Sequence, residues 1–277
     1  MNRIDILLST YNGEKYLNEL LFSIINQTYI NWQIIIRDDN SIDSTQKIID
    51  NFKVRFPDKI SQITSKQNVG VIKSFEILMQ HTVSDYIMFC DQDDVWLPTK
   101  IELTLNKMIQ IEKIYPDKPI LIHSDLKVVD KNLNVLSDSL WYYSRIRPEL
   151  LLDFKYLAVK NAVTGCTAMI NKKVIKITPR STQNTLMHDS WITLNIANKL
   201  GIISYVDSPT ILYRQHDNNV IGAKNNLDSY YKKKFLDLKK VIKLNINQFK
   251  MVNEIAHFSI IKYIYFKIKY IVKYNYY

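Results

Sequence analysis

Features of secreted and membrane-spanning proteins are scarce in this sequence. The 277 residues contain two cysteines, Cys90 and Cys166, which is too few for a disulfide framework. We therefore expect a reduced, cytoplasmic protein, with a single bridge between the two cysteines as the alternative. No run of about 18 uncharged apolar residues occurs, so no membrane-spanning helix is predicted. Asp5 interrupts the short apolar run near the N-terminus, so no signal peptide is predicted either.

Acidic residues are scarce near the C-terminus. Residues 224–277 contain twelve lysines, no arginine and three acids, which gives +9 of the chain's net charge of +10. Residues 1–223 carry the remaining +1. A nucleic-acid-binding protein would be expected to carry basic residues on its folded core, interleaved with aromatic residues. The nearly neutral core therefore predicts that nucleic acid is not a partner.

Strands and helices alternate in the first half of the chain. Apolar runs at residues 4–8, 32–36, 60–64 and 86–90 predict strands, and each is followed by apolar residues at helical spacing. Four such alternations in about 110 residues predict an α/β fold with a Rossmann-like, mostly parallel sheet flanked by helices. The second half is less regular and adds short predicted strands at residues 120–123, 127–129, 202–206 and 210–213, with a turn leading into a strand at residues 165–170.

Acidic residues follow the second and fourth predicted strands. Asp38 and Asp39 follow one, and Asp91, Asp93 and Asp94 follow the other. The carboxyl ends of parallel strands lie at one edge of the sheet, where ligands bind in open α/β folds. Carboxylates crowded there repel one another and lose solvation, and a cation relieves both costs. Oxygen ligands of this kind suit Mg²⁺ or Mn²⁺. The alternative is a solvated acidic loop that caps the next helix.

Seven motifs with chemically active side chains occur along the chain. They are Ser9-Thr10-Tyr11-Asn12, Arg37-Asp38-Asp39-Asn40-Ser41, Asn68-Val69-Gly70, Asp91-Gln92-Asp93-Asp94-Val95-Trp96, Gly165-Cys166-Thr167, His188-Asp189-Ser190-Trp191 and Tyr213-Arg214-Gln215-His216. In this order and at these distances they resemble the family 2 inverting glycosyltransferases, which have the GT-A fold. The resemblance is closest to the bacterial rhamnosyltransferase-like group, which builds surface polysaccharides. It covers roughly residues 1–222, predicted as a GT-A domain, and residues 223–277 are predicted as a basic, aromatic-rich helical tail.

The resemblance implies a set of residues that bind a nucleoside diphosphate sugar donor. They come from the turn after the first strand, from the acidic turns, from the Asn-Val-Gly turn and from a late loop: Ser9, Tyr11, Asp39, Gly70, Asp91 and Arg214. An ionised Asp39 would accept a hydrogen bond from a base N–H or a ribose hydroxyl. Its alternative role is that of a turn or helix-capping acid, and Asp38 has the same alternative.

The resemblance also implies a metal site and a general base. Asp93 would be a direct ligand of Mg²⁺ or Mn²⁺, and His216 would contact the metal, with an exposed loop histidine as the alternative. Asp189 would be the base that takes a proton from the acceptor hydroxyl, and its alternative role is a helix N-cap. The implied reaction transfers the sugar, with inversion, to a saccharide or lipid-linked acceptor.

Two other functions use the same residue types. A nucleotidyltransferase also binds a nucleotide and a metal ion, and it is the alternative enzyme. A nucleotide-sugar-binding protein without catalysis would be expected to lack the metal acids or the base, and both are present.

The C-terminal tail is predicted to include a surface helix. Lys262, Lys269 and Lys273 share one helix face, while isoleucines and Tyr265 spread over the rest. Such a segment can lie on an anionic membrane surface, which would make the enzyme peripheral on the inner face of the cell membrane. The alternative is a C-terminal helix packed on the core or on a partner.

Overall fold

The first four strands form a parallel half-sheet, as the sequence predicts.

The computed structural model describes residues 2–216 and 238–274. Its strands are β1 Ile4–Thr10, β2 Trp32–Asp38, β3 Ile60–Ile63, β4 Tyr86–Cys90, β5 Val95–Trp96, β6 Ile120–Val129, β7 Val135–Ser137, β8 Met169–Asn171 and β9 Ile202–Arg214. Its α-helices are α1 Leu17–Ile25, α2 Thr45–Arg55, α3 Val71–Gln80, α4 Lys100–Ile114, α5 Leu140–Tyr143, α6 Phe154–Leu157, α7 Lys172–Ile177, α8 His188–Asn198, α9 Leu238–Ala256 and α10 Ile260–Tyr274. Short 3₁₀ helices lie at Pro148–Leu152 and Gly165–Thr167.

The strands form one sheet in the order β3-β2-β1-β4-β8-β6-β9-β5, with β7 paired to β6. β1 pairs in parallel with β2 and with β4, and β2 pairs in parallel with β3. β8 runs antiparallel between β4 and β6, while β9 lies parallel to β6. The predicted fold class, an α/β protein with a Rossmann-like and mostly parallel sheet, is confirmed.

Helices bury both faces of the parallel strands. Along β1, Ile6 and Leu8 pack on the face that α1, α2 and α4 cover, whereas Leu7 packs on the face that α3 and α8 cover. Side chains alternate between the two faces of a strand, so a strand covered on both faces requires an uninterrupted apolar run. This packing holds the ends of β1, β2 and β4 at one edge of the sheet.

The second half differs from the sequence prediction in how its strands are divided. Residues predicted as two pairs of short strands form two long strands, β6 and β9, whose pairing shifts register where Asp125 lies opposite Pro209. Proline cannot donate a ladder hydrogen bond, which makes a bulge the natural place for it. The Asp125 carboxylate accepts the N–H groups of Leu140 and Trp141 at 3.1 and 3.2 Å, and this use explains its place in the bulge.

Both cysteines are buried free thiols, so the alternative of a single bridge is wrong.

The two C-terminal helices pack on the domain through one face each. Met251 and Val252 of α9 and Tyr263 and Tyr270 of α10 are buried in a cluster with the α8 residue Trp191. Packing on the core, one of the two predicted roles of the tail, therefore describes the inner faces of these helices. The predicted boundary between residues 222 and 223 lies outside the described residues. Within the described part of the chain, no helix combines the length and apolar character needed to cross a membrane.

Candidate active site

The turns after β1 and β4 are tied together at the edge of the sheet. Gln92, in the acidic turn after β4, accepts the N–H of Tyr11 at 2.8 Å and donates to the carbonyl of the same residue at 2.9 Å. These paired bonds to the backbone of one residue link the turn after β4 to the turn after β1. The Tyr11 side chain stays half-exposed beside this clamp, with 46% of its surface accessible.

Asp38 is used within its own turn. Its carboxylate accepts the Thr10 hydroxyl at 2.8 Å, and it accepts the N–H and the hydroxyl of Ser41 at 2.9 and 2.6 Å. The structure therefore assigns Asp38 the turn-stabilising role that the sequence offered as its alternative.

Asp39 joins the end of β2 to the start of α3. Its buried carboxylate forms an ion pair with Arg37 at 2.5 Å and accepts the N–H groups of Val69 and Gly70 at 2.9 and 2.7 Å. Gly70 precedes α3 with φ at +81°, a left-handed conformation that glycine adopts without strain. These three contacts use most of the roughly four acceptor positions of a carboxylate. Asp39 and Gly70, both predicted to bind the donor, are thus in direct contact, and Ser9 lies beside Arg37 in the β1–β2 register.

The three acids after β4 lie in different surroundings. Asp91 and Asp93 are half-buried, whereas Asp94 is fully buried. One Asp94 oxygen accepts the Arg214 N–H at 3.1 Å, and the other has no nitrogen or oxygen partner among the described residues. Carboxylate oxygens of Asp91 and Asp94 and the sulfur of Cys166 all lie within 4.8 Å of one another. Asp94 does not cap the next helix, because Thr99 holds that position.

Negative charge is poorly compensated in this cluster. Burial, and then the charges of Asp93 and Asp189, raise the pKa of Asp91 to about 7. Burial and the charges of Asp93 and Asp91 raise the pKa of Asp94 well above its usual value. Both shifts have the physical causes that a nearby cation would remove.

Asp93 contacts His216, the other residue predicted to bind the metal. The Asp93 Oδ2 and the His216 Nε2 are 2.9 Å apart, and the imidazole ring lies 5.0 Å from the ring of Tyr16. Only 13% of the His216 side chain is accessible, so the alternative of an exposed loop histidine is wrong.

Arg214 holds the acidic turn in place. Its buried guanidinium donates to the carbonyls of Asp93 and Lys131, each at 2.8 Å, and forms an ion pair with Glu19. It also lies 4.4 Å from the centre of the Tyr16 ring. These contacts make Arg214 a positioning residue for the turn, and its predicted contact with a diphosphate stays a prediction.

Asp189 approaches the same cluster from α8. It lies in the first turn of this helix, and the N-cap position belongs to Met187, so the alternative role of Asp189 as N-cap is wrong. Asp189 Oδ2 accepts the Gly165 N–H at 3.0 Å, and Oδ1 accepts the N–H of Ser190. Gly165 directly precedes Cys166, whose sulfur lies within 4.8 Å of carboxylate oxygens of Asp91 and Asp94, so Asp189 is bonded to a neighbour of the acidic cluster.

His188 is a packing neighbour of this carboxylate. Its ring stacks on Phe75 at 4.0 Å, and both ring nitrogens lack hydrogen-bond partners within the described chain. Burial lowers the pKa of His188, so the ring is neutral at pH 7. A Cβ on Gly165 would lie 2.7 Å from His188 Nε2, and this close approach requires glycine.

Comparison with known proteins identifies the fold and the family. Residues 5–178 match the family described as Glycosyl transferase family 2. The chain belongs to this family. It is 30% identical over 239 residues to the dTDP-rhamnosyl transferase RfbG of Shigella flexneri, covering 82% of this chain and 77% of RfbG. It is 23% identical over 195 residues to an Escherichia coli enzyme, UDP-Glc:alpha-D-GlcNAc-diphosphoundecaprenol beta-1,3-glucosyltransferase WfgD, covering 70% of this chain and 69% of WfgD.

A solved structure shows the same fold. The mannosyltransferase PcManGT from Pyrobaculum calidifontis, in complex with GDP-Man and Mn²⁺, superposes with a TM-score of 0.59 at 15% sequence identity. The match covers 79% of this chain and 58% of PcManGT. The predicted GT-A fold of this glycosyltransferase is confirmed.

Several residues of the candidate site were missed in the sequence. Gln92 was quoted only as the middle of an acidic motif, and the carboxylate partner of Arg214, Glu19, is 195 positions away from it. Gly165 and Cys166 stood in a motif without an assigned role. The available signal was the scarcity of glycine. With five glycines in the chain, a glycine inside a motif such as Gly165 indicates a position where a side chain would clash.

Replacement of Gly165 by alanine tests how tightly Asp189 is held. The new Cβ would meet the His188 ring, which Phe75 and Phe89 confine, so we expect Asp189 to shift. A shift of about 1 Å can cost about 100-fold in rate. Sugar transfer by Gly165→Ala should fall by that order, while donor affinity measured by calorimetry should change little.

Gly201→Ala is the matched control, because its Cβ would lie 2.7 Å from Ile196 and 2.8 Å from the Pro119 carbonyl, at the other end of α8. Both variants should unfold at lower temperature, since overpacking costs about 1–3 kcal/mol. Equal loss of transfer in the two variants would show that general destabilisation, and not displacement of Asp189, is responsible.

Proposed function

We propose that this chain transfers a sugar, with inversion, from a nucleoside diphosphate sugar to a hydroxyl of a saccharide or lipid-linked acceptor. The product belongs to surface polysaccharide synthesis, and a divalent cation, Mg²⁺ or Mn²⁺, assists the reaction. One observation carries the proposal. Carboxylate oxygens of Asp91 and Asp94, after β4, lie within 4.8 Å of the Cys166 sulfur, and the adjacent Gly165 donates its N–H to Asp189 at the start of α8.

The side chains at this edge fit a divalent cation. Carboxylate oxygens and one imidazole suit Mg²⁺ or Mn²⁺, and Asp94 has a buried oxygen without a nitrogen or oxygen partner in the described chain. Asp93 and His216 are the proposed ligands, since their side chains already meet. A bound cation would stabilise the charge of the departing nucleoside diphosphate. The Cys166 sulfur lies within the same cluster, but Mg²⁺ and Mn²⁺ prefer oxygen to soft thiolate donors, so it is not counted as a ligand.

The proposed donor site lies between the ends of β1, β2 and β4. The Tyr11 ring offers an exposed aromatic face next to the Gln92 clamp, where a nucleobase could stack. Asp39 keeps about one acceptor position for a base N–H or a ribose hydroxyl. Ser9 and Gly70 border the same region, and Asp91 would face the donor sugar. Arg214 acts on the diphosphate mainly by holding the Asp93 turn.

Asp189 is the proposed general base. The acceptor hydroxyl gives its proton to the Asp189 carboxylate while its oxygen bonds to the anomeric carbon. The bond from that carbon to the diphosphate breaks on the opposite face, and this geometry inverts the configuration. The Gly165 and Ser190 N–H groups orient the carboxylate.

The printed name of one relative supports the proposed acceptor. The printed name of WfgD describes an acceptor linked to diphosphoundecaprenol, which supports a lipid-linked acceptor for this chain. An enzyme with such an acceptor would work at the inner face of the cell membrane, attached to it peripherally. The acidic site and the nearly neutral core disfavour nucleic acid as a partner.

A screen of nucleotide sugars for release of nucleoside diphosphate tests the proposal. We expect release with at least one donor, its loss in EDTA and its recovery with Mn²⁺ or Mg²⁺. Asp93→Ala should lose several kcal/mol of transition-state stabilisation, which is the scale of Lewis-acid assistance. Asp85→Ala, at the opposite end of β4 and exposed, should behave as wild type.

Full turnover in EDTA after dialysis would reject the metal assignment alone. Release of pyrophosphate from a nucleoside triphosphate and a sugar phosphate would identify a nucleotidyltransferase instead. Donor binding without turnover, with every acceptor fraction tested, would identify a binding protein.

Asp189→Asn tests the base separately from the metal acids. The amide oxygen can still accept the Gly165 N–H, but the side chain cannot take a proton. Sugar transfer should fall by roughly 10²- to 10⁴-fold, the usual contribution of a general base. Affinities for donor and metal should change little. Asp153→Asn is the control, since Asp153 also binds a backbone N–H at a helix start, that of Lys155. Near-normal transfer by Asp189→Asn would move the base to another carboxylate.

A further inference from the structure

Helix α10 carries an apolar face that the other described residues, 2–216 and 238–259, leave exposed. Seven apolar side chains on this helix are between 40% and 77% accessible, and we call them the exposed α10 face: Ile260, Ile261, Ile264, Tyr265, Ile268, Ile271 and Val272. Single exposed apolar residues are ordinary, but a contiguous set on one element marks an interaction surface.

The exposed α10 face is one continuous stripe. At about 100° per residue, its seven members fall within an arc of about 140°. The core-facing residues Tyr263, Phe266 and Tyr270 lie on another arc, where they pack on the domain. The helix therefore has two apolar faces, and packing on the domain accounts for only one of them.

Lysines border the stripe. Lys262 and Lys269 fall on the arc between the exposed and the core-facing residues, and Lys262 is exposed. Helices α9 and α10 together contain eight lysines and one acid, Glu254. Long basic side chains beside an apolar face can bury their stems and keep their ammonium groups at a charged boundary. This combination matches an anionic lipid surface in both its apolar and its charged layers.

We propose that the exposed α10 face docks into the headgroup boundary of an anionic lipid bilayer, with the helix lying in the membrane plane. The contact itself is independent of catalysis, and it rests on the proposed function only for its purpose, which is to hold the enzyme beside a lipid-linked acceptor. Tyr265 takes the interfacial position that aromatic rings with a polar tip favour.

Vesicle flotation with the full-length protein tests the proposal. The probes are vesicles of phosphatidylcholine alone and vesicles with 30% phosphatidylglycerol, each at low and at high salt. Wild type should float with the anionic vesicles, and salt should weaken this binding. Ile264→Gln/Ile268→Gln should abolish it, whereas Val54→Gln/Ile114→Gln, equally exposed apolar residues on the catalytic domain, should not.

Charge variants separate the two parts of the surface. Lys262→Gln/Lys269→Gln should weaken binding about 25-fold, since each lysine near an anionic surface contributes roughly a factor of five. Lys47→Gln/Lys113→Gln removes two exposed lysines elsewhere and should have little effect. All variants should keep donor turnover in solution, so a failure of docking and a failure of the proposed function give different results.

Two results would overturn the proposal. Wild type that ignores anionic vesicles at low salt has no membrane-docking face. Sedimentation showing a dimer that Ile264→Gln/Ile268→Gln converts to a monomer, with vesicle binding unchanged, would assign the face to self-association.

Discussion

The uncompensated negative charge at the ends of the parallel strands is the constraint on which this site depends. Apolar packing on both faces of β1, β2 and β4 determines where those strands end, and the chain places carboxylates immediately beyond two of them. Burial and mutual repulsion raise the pKa of Asp91 to about 7. This electrostatic cost contributes nothing to stability in the absence of a cation, and the cation proposed above would remove it.

The surrounding contacts keep these charges from moving apart. Gln92 ties the acidic turn to the turn after β1, and the Arg214 guanidinium ties its backbone to β9 and α1. On the other side, Gly165 holds Asp189 through a single N–H. Flexible loops carry the reactive groups in many enzymes, but here each group is bonded to a neighbouring strand or helix. If these groups act as proposed, the preorganisation that electrostatic catalysis requires would be present before a ligand binds.

Local features of the fold could be predicted from the sequence, whereas features that depend on the pairing of distant strands could not. The bounds of β4 were predicted correctly because an apolar run meets acids at a sharp boundary. The division of β6 was predicted wrongly because the bulge at Asp125 exists only opposite Pro209 of another strand. The family resemblance predicted that Asp93 and His216 share one site, and in the structure Asp93 Oδ2 lies 2.9 Å from His216 Nε2. The resemblance did not predict that Asp39 and Arg214 form hydrogen bonds and ion pairs within the protein, since most of their partners come from distant segments.

The most direct test of the account is a crystal structure of the protein with a nucleoside diphosphate and Mn²⁺, with anomalous data collected at the manganese edge. The account predicts a manganese peak in direct contact with an Asp93 oxygen and with the diphosphate, and the nucleoside between the turns after β1 and β2. Asp189 should face the side of the donor site away from the diphosphate. A nucleotide bound elsewhere, or a manganese peak remote from Asp91, Asp93 and His216, would contradict it.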